Sequence, residues 1–211
     1  VGLGTVIMFG MLGWSFERTL VSRLVANERS DMVISSAFAS GGYRTAPLSE
    51  RILDDLARID GVALAVGQQG RDMKYGDDTV VLASCDPQCF TDRRIYEWPL
   101  ERGALPNALV KVATGEGALV STSFARAYGI HAGDTLQLDS PHGPLHIIVT
   151  GISGGEPESA VWISRNRYRD LWNDHQIWTA NVALDSSELY ARVAGEIQRT
   201  LGRKYQLSIL S

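Results

Sequence analysis

Two cysteines are the residues whose type and spacing most directly suggest chemistry in this sequence. Cys85 and Cys89 are the only cysteines of the chain, and the Asp86-Pro87 dipeptide between them favours a turn. Three interpretations are open: a disulfide, two free buried thiols, or part of a metal or redox site. A disulfide is favoured if the chain lies outside the cytoplasm, where an isolated pair of cysteines usually becomes oxidised.

No other set of residues has the spacing of a catalytic or metal site. The four histidines lack metal-ligand spacing such as His-Glu-x-x-His, and are predicted to lie on the surface. They are His131, His142, His146 and His175. The sequence around Ser153 lacks the Gly-x-Ser-x-Gly elbow of a hydrolase. We therefore predict no catalytic residues, no metal site, no cofactor and no enzymatic activity.

The composition indicates a folded chain with no affinity for nucleic acid. Its 211 residues are 45% hydrophobic and 21% charged, which suits one ordinary domain or two small ones. The 20 Lys and Arg residues against 24 Asp and Glu residues give a net charge of −4. We therefore predict no nucleic-acid partner, since no basic stripe accompanies this mildly acidic balance.

The N-terminal residues are typical of the end of a membrane helix. No acidic or basic residue precedes Glu17. A helix over residues 1–16 rises about 24 Å, which is less than the roughly 30 Å hydrocarbon core. Trp14 and Phe16 stand where interfacial aromatic residues are common. The alternative is a buried core helix; a signal peptide fits poorly, because no cationic segment precedes the apolar run.

This helix is predicted to continue beyond the bilayer as a coupling stalk. Phe16, Leu20 and Leu24 recur at helical spacing, and Glu17 begins the charged positions between them. We assign residues 1–27 to the end of the membrane helix and to this stalk.

The body of the chain predicts two strand–helix–strand units. Ser49 is a candidate N-cap for a helix that Gly61 closes, and Ser186 or Ser187 for a second helix near the C-terminus. The predicted strands of these units are apolar runs between turn residues: 32–37, 62–66, 79–83, 181–184 and 206–210. This pattern is typical of an α+β fold with helices on one face of a sheet.

A stretch of different character interrupts these units. Residues 91–178 contain an irregular segment, a predicted hairpin over 135–152, and two short helices. Ser121 would begin the first helix and Gly129 would close it, and Ser164 would begin the second. We call residues 28–90 plus 179–211 the layer, and residues 91–178 the insertion.

Two tryptophans are candidates for contact with a partner. Trp98 lies in the irregular segment, and Trp178 lies at the end of the insertion. Exposed aromatic residues can mark interaction sites, although packing within the core is the more common role of tryptophan.

The order of short motifs along the chain resembles the extracytoplasmic core domain of FtsX/MacB-type ABC transporter permeases, including their lipoprotein-releasing relatives. Each motif is weak, and their order is the specific feature. The motifs are Ser15 to Leu20, Ser30 to Val33, Pro47-Leu48-Ser49, Ile59 to Val62, Asp86-Pro87-Gln88, Gly117 to Ala125, Gly129 to Leu136, Val161 to Ser164 and Tyr168 to Trp172.

This resemblance implies a Porter-like α/β subdomain interrupted by a β-rich, Sabre-like insertion. It further implies a permease in the bacterial cytoplasmic membrane, with this domain on the periplasmic or extracellular side. Its expected partners are a cytoplasmic ATP-binding cassette subunit or domain, a second permease copy or paralogue, the lipid bilayer, and a periplasmic adaptor, lipoprotein or other cargo. The cysteine pair departs from the family pattern.

The expected function is mechanotransmission: ATP hydrolysis in the cytoplasm drives conformational change outside the membrane, for export or extraction of lipoprotein, peptide or small-molecule cargo. The alternative is a membrane-anchored sensor or receptor ectodomain without an ATPase, which the sequences flanking the domain would distinguish.

Overall fold

The computed structural model describes residues 28–38, 46–155 and 158–210. The strands are β1 (Met32–Ser36), β2 (Leu48–Ser49), β3 (Val62–Tyr75), β4 (Asp78–Cys85), β5 (Gly117–Ser121), β6 (Thr135–Ser140), β7 (Gly143–Ser153), β8 (Ala160–Ser164), β9 (Gln176–Ile177), β10 (Thr179–Leu184) and β11 (Leu207–Leu210). The helices are α1 (Arg51–Leu56), α2 (Gln88–Thr91), α3 (Ala108–Ala113), α4 (Thr122–Tyr128), α5 (Arg165–Trp172), α6 (Tyr190–Thr200) and α7 (Gly202–Tyr205). Within the described part of the chain, every helix is too short or too polar to cross a membrane.

One mixed sheet forms the centre of the molecule. Its nine strands run in the order β11-β1-β10-β3-β4-β8-β5-β7-β6, and β2 and β9 form a separate two-stranded ribbon. The pairs β4–β8 and β5–β7 are parallel, and the other neighbours are antiparallel. The predicted α+β class is confirmed.

The helices α1 and α6 cover one face of the layer. Ile52 and Ile197 are fully buried there, against the strand residues Ile34 and Val182. Because successive side chains of a strand point to opposite faces, Ala183 turns to the other face and joins a second cluster beneath α2 and α3. The predicted placement of the two layer helices on one face therefore agrees with the structure.

The insertion has its own hydrophobic cluster, which includes residues of the layer. Phe124 of α4 and Tyr168 of α5 pack over β5 to β8, and Leu82 of β4 belongs to the same cluster. The sheet is continuous from the layer into the insertion, since Val81 to Cys85 pair with Ala160 to Ser164. The boundaries at 91 and 178 stay a prediction.

Local signals place the start of α4 correctly and that of α1 to within one residue. The hydroxyl of Ser121 accepts a hydrogen bond from the Phe124 amide at 3.2 Å, and Gly129 ends the helix with a φ of 63°. Ser49 instead lies in β2, and Glu50 occupies the N-cap position of α1 without a capping side-chain bond. Ser49 pairs with Gln176 in the ribbon, and its hydroxyl accepts a hydrogen bond from the Arg51 amide at 3.4 Å, so it contacts the first turn from one position before the N-cap.

Candidate coupling site

The first described residues attach the chain to the insertion. We call residues 28–31 the entrance segment, because the predicted stalk leads into it. Glu28 forms an isolated antiparallel bridge with Tyr96. The amide of Arg29 donates a hydrogen bond to the carbonyl of Ile95 at 2.9 Å. The backbone of the entrance segment is thus joined to the irregular part of the insertion.

Side chains of the entrance segment add two further contacts. The Arg29 guanidinium lies 2.7 Å from the Glu97 carboxylate, but both groups are exposed, and such pairs contribute little stability. The Asp31 carboxylate accepts a hydrogen bond from the amide of Leu184 at 2.8 Å, which ties the segment to the end of β10. The segment is therefore attached to both the insertion and the layer.

The carboxyl group of Glu28 is held inside the domain by neutral donors. The Asn181 amide nitrogen donates to Glu28 Oε2, and the Ser30 amide donates to Oε1 at 3.3 Å. Asn181 is buried in β10, and its own Oδ1 accepts from the Thr179 hydroxyl at 3.2 Å. Burial raises the pKa of Glu28, and the hydrogen bonds from Ser30 and Asn181 oppose this effect without cancelling it.

Trp98 supports the entrance segment from the core. Its ring is 8% exposed and stacks on Phe90 at a centroid distance of 5.2 Å, with Tyr96 at 4.6 Å. Its Nε1 donates to the Cys89 carbonyl at 3.0 Å. Of the two roles considered for Trp98, contact with a partner and packing in the core, the structure shows packing within this chain. Tyr96 and Trp98 connect the bridge at Glu28 to the core.

The two cysteines are adjacent beneath this aromatic cluster. Cys85 ends β4 and Cys89 lies in α2, and both are fully buried. Their Cα atoms are 6.0 Å apart and the sulfurs are placed as a disulfide, which suits the usual Cα separation of such bonds. Oxidation of the pair in the protein stays a prediction, which the mass of the alkylated chain before and after reduction would check.

Trp178 occupies a different position from Trp98. It is half-buried, and its amide donates to the Gln68 carbonyl at 2.7 Å. The ring lies over β3, where a Cβ added at Gly70 would come within 2.7 Å of it. Gly70 thus provides the space for the ring, and contact of its outer face with a partner stays a prediction.

Other predicted site residues lie elsewhere. All four histidines are exposed. Among the described residues, no three His, Cys, Asp or Glu side chains converge to hold a metal ion. The residues of the coupling helix lie outside the described part of the chain: Phe16, Glu17, Leu20 and Leu24.

Sequence reasoning missed Glu28 and Asn181 as site residues. Glu28 follows the predicted stalk directly, which is a usable signal for the point of attachment. Asn181 has no comparable signal, because an asparagine inside an apolar strand is recognised as a hydrogen-bond donor only when its partner is known. The arrangement is suited to transmitting displacement, since movement of residue 28 must carry Tyr96 and Asn181 with it or break their bonds.

A family model and two solved structures that match this chain are all of periplasmic or extracellular domains. The model of the family described as "MacB-like periplasmic core domain" matches residues 1–200. The periplasmic region of MacB from Actinobacillus actinomycetemcomitans has a similar structure, with a TM-score of 0.61 at 15% identity over 89% of this chain and 91% of that one. The extracellular domain of the noncanonic ABC-type transporter YknZ from Gram-positive bacteria gives 0.61 at 14% identity over 85% and 98%. No curated protein matches the chain in sequence.

Proposed function

Because the chain belongs to the family of MacB-like periplasmic core domains, the extracytoplasmic domains of FtsX/MacB-type ABC transporter permeases, we propose that it couples cytoplasmic ATP hydrolysis to conformational change outside the membrane. The movement serves export or extraction of a lipoprotein, a peptide or a small molecule. The observation that carries this proposal is the double attachment of the entrance segment, to Ile95 and Tyr96 on one side and to β10 on the other.

The geometry suits transmission of force. A stalk that tilts or rotates displaces residue 28 first. Glu28 is bonded to Asn181 in a central strand of the layer, and Asp31 is bonded to Leu184 in the same strand. Displacement at the entrance segment is therefore delivered to the sheet rather than absorbed by a mobile linker.

The proposed partners follow from the family. They are a cytoplasmic ATP-binding cassette subunit or domain, a second permease copy or paralogue, and a periplasmic adaptor, lipoprotein or other cargo. The proposed location is the bacterial cytoplasmic membrane, with the domain on its outer side; contact of residues 1–16 with the bilayer is part of the proposal. ATP hydrolysis is assigned to the cytoplasmic partner and not to this domain.

The test uses the native transporter reconstituted in lipid vesicles with its ATPase. Proline at Leu20 or Leu24 would interrupt the predicted stalk helix, and Leu20→Ala and Leu24→Ala are the matched controls. We expect ATP hydrolysis to continue in the proline variants while cargo movement per ATP is lost, and both to survive in the alanine variants. A native protein that has no ATPase, or transport that is unaffected by proline, would reject the proposal and favour an anchored sensor.

A further inference from the structure

A buried arginine joins the insertion to the layer. Arg165 is the first residue of α5 and is 1% exposed. Its Nη1 donates to Asp86 Oδ1 at 3.1 Å, and its Nη2 donates to Glu50 Oε2. Both carboxylates belong to the layer. A guanidinium at this depth requires such partners, because an unpaired charge is costly to remove from water.

Glu50 is the centre of this cluster. Its Oε2 also accepts from Arg169 Nη1 at 3.2 Å, and its Oε1 lies 2.6 Å from His175 Nδ1. Its backbone amide donates to the His175 carbonyl at 3.0 Å. Burial acts to raise the pKa of Glu50, but the hydrogen bonds from His175, Arg165 and Arg169 outweigh it and hold the pKa below its ordinary value. Glu50 is therefore ionised at neutral pH.

Asp86 is presented by the loop between the two cysteines. Its Oδ2 accepts from the Gly67 amide at 2.7 Å while Oδ1 binds Arg165. Gly67 leaves no room for a larger residue, since an added Cβ would lie 2.8 Å from Ile177 Cγ2. The position of Asp86 is thus fixed by β3 on one side and by the helical turn at Cys89 on the other, where the Cys89 amide donates to the Asp86 carbonyl at 2.9 Å.

A reciprocal contact runs from the insertion to the layer. Asp174 of the insertion accepts from Gln69 Nε2 of β3 at 3.1 Å and from the Tyr168 hydroxyl at 3.2 Å. The ribbon of β2 and β9 adds backbone pairing between Leu48 and Ile177. With the predicted boundaries, the chain passes between layer and insertion twice, at residues 90–91 and 178–179. The cluster includes residues near both crossings, Asp86 before the first and His175 before the second.

We propose that Arg165, Glu50 and Asp86 form a lock that fixes the orientation of the insertion relative to the layer, so that the two move as one body. A hinge between them would have to part the pairing of β4 with β8, which joins the layer to the insertion. The lock lies at the end of this pairing, because Asp86 directly follows β4 and Arg165 directly follows β8. The consequence for transport rests on the proposed function: displacement of the stalk would reach the insertion without being lost in a bend.

The lock itself is tested on the 211-residue chain in detergent micelles. Arg203 in the layer and Ala127 in the insertion, both exposed, would each be replaced by p-acetylphenylalanine and spin-labelled at its ketone. Pulsed electron–electron double resonance would then give the distribution of distances between the two labels. We expect one narrow distribution for the otherwise native chain. In the Arg165→Met/Glu50→Leu double variant we expect it to broaden about twofold or more, as other orientations become populated.

This double variant removes two of the three charges of the lock while retaining apolar volume. The Asp86 carboxylate loses Arg165 but keeps its hydrogen bond from the Gly67 amide at 2.7 Å. Lys204→Met/Asp55→Leu is the matched control, because it removes an ion pair of 2.5 Å that lies wholly within the layer; its distribution should stay narrow. Glu50→Gln, which keeps the shape of the side chain, replaces the double variant if circular dichroism shows that the latter does not fold, and should broaden the distribution in the same direction.

Three results would each overturn the lock. They are a broad distance distribution in the native chain, an unchanged distribution in a folded lock variant, and equal broadening in the control variant. These outcomes are independent of the stalk experiment. If the distance distributions support the lock but proline in the stalk leaves transport unaffected, the proposed function alone is refuted. If proline in the stalk abolishes transport but the distance distributions contradict the lock, the lock alone is refuted.

Discussion

Two glutamates occupy the two attachment points of this domain, and they are held in opposite ways. Glu28, at the entrance segment, is bonded by the neutral amides of Asn181 and Ser30. Glu50, at the lock, is bonded by the cations Arg165 and Arg169 and by His175. Burial acts on both carboxyl groups, yet the pKa of Glu28 is raised and that of Glu50 is lowered.

Two causes separate them: Glu28 is the more deeply buried of the two carboxyl groups, and its donors are neutral, whereas those of Glu50 include two guanidinium groups. A carboxyl group held by neutral amides can take up a proton and keep its place. One that neutralises a buried guanidinium cannot, because its protonation leaves the cation without its counter-charge. The entrance segment therefore tolerates protonation, and the lock does not.

The largest expected effect is that of removing the cation of the lock. Arg165→Ala leaves Glu50 and Asp86 without the buried guanidinium and opens a cavity, which we expect to cost about 3–5 kcal/mol of unfolding free energy. Urea denaturation of the variant and native chains measures this. Arg199→Ala is the control, since Arg199 is exposed and its nearest carboxylate oxygen, on Glu196, is 3.9 Å away. Nearly equal losses in the two variants would show that Arg165 has no special role.

A smaller loss is expected at the entrance segment. Asn181→Ala removes a buried donor and leaves the Glu28 carboxyl group without its hydrogen bond from β10, for which we expect a loss of about 1–3 kcal/mol of unfolding free energy. The same denaturation experiment tests it, with Gln137→Ala on the exposed side of β6 as the control. If Asn181→Ala lowers the free energy of unfolding more than Arg165→Ala does, the entrance segment contributes more to stability than the lock, which is the reverse of what we infer.

The smallest effects are in the pH dependence, and they have opposite signs. Folding lowers the pKa of Glu50, so its ionisation stabilises the fold above the ordinary carboxyl pKa, and this gain is lost as the pH falls through the folded pKa. The stability advantage of the native chain over Glu50→Gln should shrink on acidification. Folding raises the pKa of Glu28, so its ionisation weakens the fold as the pH rises through the raised value.

The native chain should therefore lose stability relative to Glu28→Gln as the pH rises. Denaturant titrations of the three proteins between about pH 2 and pH 8, a range that includes both the lowered pKa of Glu50 and the raised pKa of Glu28, measure both trends. If the difference in unfolding free energy between native chain and variant changes with pH in the same direction for Glu50→Gln and Glu28→Gln, the contrast between the entrance segment and the lock is lost.

Elements fixed by local interactions could be predicted from the sequence. Ser121 and Gly129 bound α4 as predicted, because a capping hydroxyl and a left-handed glycine act within one helical turn. The strand predicted at 62–66 extends in the structure from Val62 to Tyr75, because its polar second half pairs with β4. Such pairing depends on a partner strand, and the alternation of apolar residues does not reveal it.

The lock could not be predicted for a related reason. The Arg165-Asn166-Arg167 run at the start of α5 is typical of an exposed helix end, and arginine is almost never fully buried unless it is paired. Its partners Glu50 and Asp86 are 115 and 79 residues away in sequence. The cysteine spacing, by contrast, was informative, because it identified the loop that presents Asp86.

The most direct test of the account is whether the entrance segment stays attached while the transporter works. Arg29→Cys and Glu97→Cys would be joined by a short thiol-reactive linker in the reconstituted native transporter, with Arg29→Cys alone as the control; their native side chains are 2.7 Å apart. We predict that cargo moved per ATP hydrolysed is unchanged by the cross-link, because force enters the domain through this fixed contact. Loss of transport with continued ATP hydrolysis would contradict the account, since it would mean that the entrance segment must detach.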